Sequence, residues 1–148
     1  MIQNVWDGAS HLQRLREEKA RLLVMQGEEV VFRSEGRGIR PLLKVSDSVA
    51  PESLHGATFV DRVVGRAAAL LMVHASAGAV AAIVVSDNAM DICRRFGVPV
   101  YREERATHIT GRDPGKPCPF EQAVADVDEP RAAHSVLRKL ADEMGLLA

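Results

Sequence analysis

Cysteine is almost absent from this chain: Cys93 and Cys118 are the only two in 148 residues. Two thiols are too few for a disulfide framework or a cysteine-rich zinc site. Stability must therefore come from a buried core, which a chain of this length can form as one domain over residues 1–148. An excess of either charge is missing too. With 19 basic and 20 acidic residues the net charge is -1, which argues against nucleic acid as the main partner. Long hydrophobic runs are also missing. The longest, around Ala67–Val73 and Ala77–Val85, fall far short of the ~20 residues that cross a bilayer, so no membrane partner is expected. No cationic start followed by an apolar run is visible, and a reducing, cytoplasmic setting is the expectation. Neither a Walker-type glycine loop nor a metal-like spacing of the five histidines (His11, His55, His74, His108, His134) occurs, so no cofactor is expected.

What is present is an alternation of helix-like and strand-like segments. His11–Gln26 has Leu12, Leu15, Leu22 and Leu23 on one face and predicts a helix ended by Gly27. Glu29–Ser34 predicts a strand, Gly36-Arg-Gly38 a turn, Ile39–Val45 a short helix and Ala57–Val60 a second strand, after a loop over Ser48–Gly56. Val63–His74 is apolar nearly all round and predicts a central buried helix. Ala79–Val85 is a continuous apolar run, as a strand covered on both faces requires. Asn88–Phe96 then predicts a helix, Val98–Arg102 a strand, Arg105–Thr110 a short extended piece, and Pro119–Val127 and Arg131–Met144 two helices. The order predicts an α/β domain with a mostly buried mixed sheet between helices.

The segment with the most chemistry is Arg112-Asp-Pro-Gly-Lys-Pro-Cys-Pro-Phe-Glu121. Pro119 suits the first helical position, which puts Cys118 at the N-cap and Glu121 at capping-box spacing. A thiol at the positive end of a helix dipole is favoured as thiolate, with Glu121 or His108 as its base. The plainer reading is a small residue capping a helix beside its capping-box acid. Cys93 lies on an apolar helix face and reads as core. Arg112 and Lys116 flank the thiol, where they could lower its pKa or hold a phosphate or carboxylate; otherwise they face solvent. Ser86 and Asp87 end the buried strand, where open α/β sheets place ligands, and are equally ordinary helix caps.

Asp61-Arg-Val-Val-Gly-Arg-Ala-Ala-Ala-Leu70, Gly111-Arg…Gly115-Lys-Pro-Cys-Pro-Phe-Glu121 and Gly36-Arg-Gly-Ile-Arg-Pro-Leu-Leu43 together resemble an uncharacterised prokaryotic family, domain-of-unknown-function family eighteen-ninety-three. The resemblance runs from about Leu12 to Glu143. It implies a three-layer α/β/α, cytidine deaminase-like fold with a central mixed sheet. That fold usually carries a zinc site, with a His or Cys and a Glu opening one central helix and Pro-Cys-x-x-Cys opening the next. Here the first opens Val64-Gly65-Arg66-Ala67, the next Asp87-Asn88-Ala89-Met90, and Pro117-Cys118-Pro119-Phe120-Glu121 has no second cysteine. The zinc ligands are missing, and no metal is expected.

The resemblance also puts Asp61, Arg62, Gly65 and Arg66 beside the cleft that this fold uses for ligands. Two function classes follow. In one, those residues and Arg112 hold a small anionic or nucleotide-like ligand at helix N-termini. In the other, Cys118 is the nucleophile of a cysteine-dependent enzyme. A purely structural domain is the bland alternative, and exposed helices and sheet edges suit a homodimer.

Overall fold

The computed structural model describes residues 7–109 and 116–147. Five strands form one mixed sheet in the order β2-β1-β3-β4-β5: β1 Leu22–Gln26, β2 Glu29–Ser34, β3 Thr58–Val64, β4 Ala79–Ser86 and β5 Val100–Ala106. The β1 strand pairs antiparallel with both β2 and β3, and β3, β4 and β5 run parallel. The helices are α1 Gly8–Glu17, α2 Arg40–Ser48, α3 Pro51–Leu54, α4 Arg66–His74, α5 Asp87–Arg95, α6 Pro119–Ala123 and α7 Pro130–Glu143.

The sheet is covered on both faces. Leu12 and Leu15 of α1 pack on Leu23, Met25, Val60 and Ala81 on one side. On the other, α4 is the central element, packed against α5, α7 and α2. Its residues Ala67–Met72 are all buried, because a helix enclosed by sheet and neighbouring helices keeps no polar face. The β4 strand has the continuous apolar character of a parallel strand covered on both sides.

The first helix is shorter than its leucine periodicity predicts. It ends at Glu17, Lys19 takes a left-handed φ of 54°, and Leu22–Gln26 becomes a strand. The run Leu-Leu-Val-Met is buried on both sides between two partner strands, and such a run has no period that separates strand from buried helix. Gly27, at φ 58°, closes the hairpin to β2 rather than a helix. The second shift bears on the site. The β3 strand runs on to Val64, so Asp61 and Arg62 are strand residues, and Gly65 is the N-cap of α4. A short helix, α3, also stands inside the stretch expected as a loop.

Candidate functional site

The three motifs meet. The loop Gly36–Arg40, the end of β3 (Asp61, Arg62, Val63), Gly65 with the first turn of α4 (Ala67, Ala68), and the turn Lys116–Glu121 line one cleft of about 800 Å³. That is within the range of small-molecule sites. Arg21, Leu22, Ile109, Met144 and Leu146 complete the wall. Segments far apart in sequence converge because β1 and β3 are adjacent in the sheet, while the Lys116–Glu121 turn crosses the start of α4.

Glu121 makes that crossing. Its two carboxylate oxygens accept from the Arg66 amide at 2.8 Å and the Ala67 amide at 2.6 Å, two of the N–H groups that the first turn of α4 leaves without helical partners. A carboxylate there gains charge-assisted hydrogen bonds and the favourable end of the helix dipole. Gly65 makes room for it: a Cβ at this position would stand 2.3 Å from Glu121 Oε1 and 2.8 Å from Ile109 Cγ1. Arg66 answers in the other direction. Its guanidinium donates to Val124 O (2.8 Å), Val127 O (2.6 Å) and Asp128 Oδ1 (2.5 Å), satisfying carbonyls at the end of α6 and in the connection to α7. The two contacts form a reciprocal latch between α4 and α6.

The latch revises two expectations. Glu121 does not close a capping box on α6 or reach Cys118 as a base; its carboxylate is committed to the amides of α4. The α4 N-terminus expected to receive a ligand anion already holds an anion supplied by the chain. Arg66 turns its guanidinium toward α6 and the following connection, and it is not among the residues lining the cleft.

Asp61 stands opposite Leu22 of β1 and beside Ala82 of β4. Part of its surface opens to the cleft, yet protein atoms enclose it on most sides. Removal from water pushes its carboxyl up to about 7, against the pull of the Arg62 and Val63 amides and the charges of Arg21 and Arg62. The Arg62 amide donates to Oδ1 at 2.7 Å. Among the described residues no side chain donates a hydrogen bond to Asp61. Arg62 sends its Nε to Ala20 O at 3.2 Å while still lining the cleft. Arg37 and Arg40 are exposed on the rim. Neither forms a salt bridge among the described residues.

Cys118 is half-buried and lines the cleft. It is the N-cap of α6, but its side chain makes no capping bond. His108 is exposed and does not line the cleft. Cys93 is core, and burial pushes its thiol up to about 11. Ser86 caps α5 through the Ala89 amide, and Asp87 pairs with Arg105, the ordinary roles open to them. Arg112 lies outside the described residues. Sequence reasoning missed Arg21, which falls inside the helix expected over His11–Gln26 and stands instead just before β1. It favours a tight turn over a phosphate loop at Gly36-Arg-Gly38 and does not single out Arg40.

The family model for a domain of unknown function, DUF1893, matches residues 11–141. The chain belongs to the DUF1893 family. Among solved structures it is similar to the DUF1893 family protein TM1506 of Thermotoga maritima, with a TM-score of 0.79 and 24% identity over 95% of this chain and 93% of that one. At that identity the likeness establishes the fold. No curated protein matches this DUF1893 chain at a significant level.

Proposed function

We propose that this DUF1893 domain is a binding module for a small anionic or nucleotide-like ligand, held in the cleft between the Gly36–Arg40 loop, β3 and the Lys116–Glu121 turn. One observation carries the reading. Arg21, Arg37, Arg40, Arg62 and Lys116 border a single cavity that contains only two carboxyl groups among its described residues, and one of these, Glu121, is already bound to α4 amides. Cationic groups focused in a concave, partly apolar site attract anions more strongly than the same groups on an open surface. The ligand is therefore assigned to the guanidinium rim and not to the helix N-terminus. The sheet order β2-β1-β3-β4-β5, with β1 antiparallel to its neighbours, supports a deaminase-like ancestry. The residues at the starts of α4 and α5 supply no zinc ligand set. Two free thiols suit a reducing, cytoplasmic setting.

Isothermal titration with inorganic phosphate and with nucleoside monophosphates tests this reading. The double variant Arg37→Ala, Arg40→Ala is expected to weaken binding about tenfold or more and to flatten its dependence on salt. Absence of binding by the unaltered protein to every one of these anions would end the proposal.

The second reading, a cysteine nucleophile, is favoured by the place of Cys118 on the cleft wall. With Glu121 engaged elsewhere, the base would have to come from the substrate or from water. Iodoacetamide labelling from pH 5 to 9 is expected to show Cys118 reacting while Cys93 stays protected in the core. A Cys118 rate no greater than that of a free thiol at every pH would remove the case for an activated nucleophile.

A further inference from the structure

The anion-binding reading leaves Asp61 unexplained. A site built only for negative charge has no use for a carboxyl group in its wall, because like charges brought together out of water repel. Asp61 is nevertheless enclosed in the same cavity whose exposed rim carries Arg37 and Arg40. An acid within reach of the Arg21 and Arg62 charges thus lines the same cavity as the exposed Arg37 and Arg40. The same lining includes the small residues Ala67 and Ala68 at the start of α4 and the apolar Phe120 of α6.

We infer that Asp61 is the specificity-determining residue of this cleft, recognising the hydrogen-bonding edge of a flat head group whose anionic tail rests on Arg37 and Arg40. The inference builds on the binding reading above and names the ligand class: a phosphate ester of a planar, N–H-bearing heterocycle. A carboxyl group with main-chain donors but no side-chain donor keeps lone-pair capacity for a ligand N–H. The small side chains of Ala67 and Ala68 leave space for a ring, which a larger residue would fill.

The test compares three kinds of probe by isothermal titration: inorganic phosphate, ribose phosphate, and the adenosine, cytidine, guanosine and uridine monophosphates. At least one nucleotide is expected to bind about tenfold or more tighter than ribose phosphate. Asp61→Asn keeps an acceptor for the Arg62 amide but replaces the carboxyl with a fixed amide. It should abolish that preference while ribose phosphate still binds at least as tightly as to wild type, because a negative charge has left the wall; circular dichroism checks that the variant is folded. Asp61→Ser serves the same comparison should the asparagine variant not fold. Nucleotides that bind no better than ribose phosphate, or a preference that survives both substitutions, would overturn the inference while leaving the anion-binding reading standing. Failure of all the probes would sink both.

Discussion

Replacing Gly65 by alanine is expected to destabilise the domain by about 2 kcal/mol, most of it only while Glu121 is present. The backbone at Gly65 has a φ of -99°, open to any residue, so the requirement is space and not conformation. The added methyl would stand 2.3 Å from Glu121 Oε1 and force the carboxylate off the Arg66 and Ala67 amides. Two donors at the start of a buried helix then lose charge-assisted partners, each loss costing about 1–3 kcal/mol before water or relaxation compensates. The melting temperature should fall by about 4–8 °C for a domain of this size. A double-mutant cycle with Glu121→Ala isolates the cause. Glu121→Ala alone should cost a similar amount, and adding Gly65→Ala to it should cost no more than about 1 kcal/mol, for the poorer N-cap and for the Ile109 side chain that must give way. Equal cost of Gly65→Ala in both backgrounds would show that the Glu121 contact is not why glycine stands there. Because Cys118 is three residues before Glu121, releasing the carboxylate should also change the rate at which the thiol is alkylated, giving a second readout of the same latch.

That latch shows what could and could not be read from the chain alone. The β4 run and the helices α4 and α5 were legible because burial imposes a continuous apolar run or a helical apolar face on their sequences. The place of Asp61, Arg62 and Gly65 beside a cleft was legible only through a family resemblance, and the arrival of the Gly36 loop there was not legible at all. Two things were hidden for identifiable reasons. Leu22–Gln26 continues the leucine spacing of α1, and nothing in a four-residue apolar run tells a doubly covered strand from a helix turn. Glu121 sits at capping-box distance from Cys118, so the local pattern offers a complete explanation of its presence. The true acceptor geometry spans 55 positions to Arg66 and becomes visible only when α6 lies across α4. The same holds for Arg66. A basic residue after a glycine at a helix start suggests an anion site, yet the three carbonyl and carboxylate oxygens it satisfies lie more than 50 positions away.

Asp61→Asn is expected to make the protein more stable, by an amount that depends on pH. In the unfolded chain the carboxyl titrates at 3.8, and in the fold at about 7. Between these values the native state holds a proton that the unfolded state has released, so wild-type stability falls as pH rises. The contribution of Asp61 is fully present below about pH 4, declines through the interval, and is lost above about pH 7. At about 1.4 kcal/mol per unit, and allowing for relaxation around the charge, the loss is on the order of 2–4 kcal/mol. Asparagine carries no such proton. The stability of Asp61→Asn relative to wild type, measured by urea unfolding at pH 4, 5.5 and 8, should therefore be near zero at the lowest pH and reach its full gain at the highest. A gain that does not vary with pH would mean that packing and not ionisation governs this position. With the gain at the size expected, Asp61 lowers stability at neutral pH relative to asparagine. Functional sites are where such costs accumulate. The stability gain and the loss of ligand discrimination expected of the same substitution are two consequences of one enclosed carboxyl group.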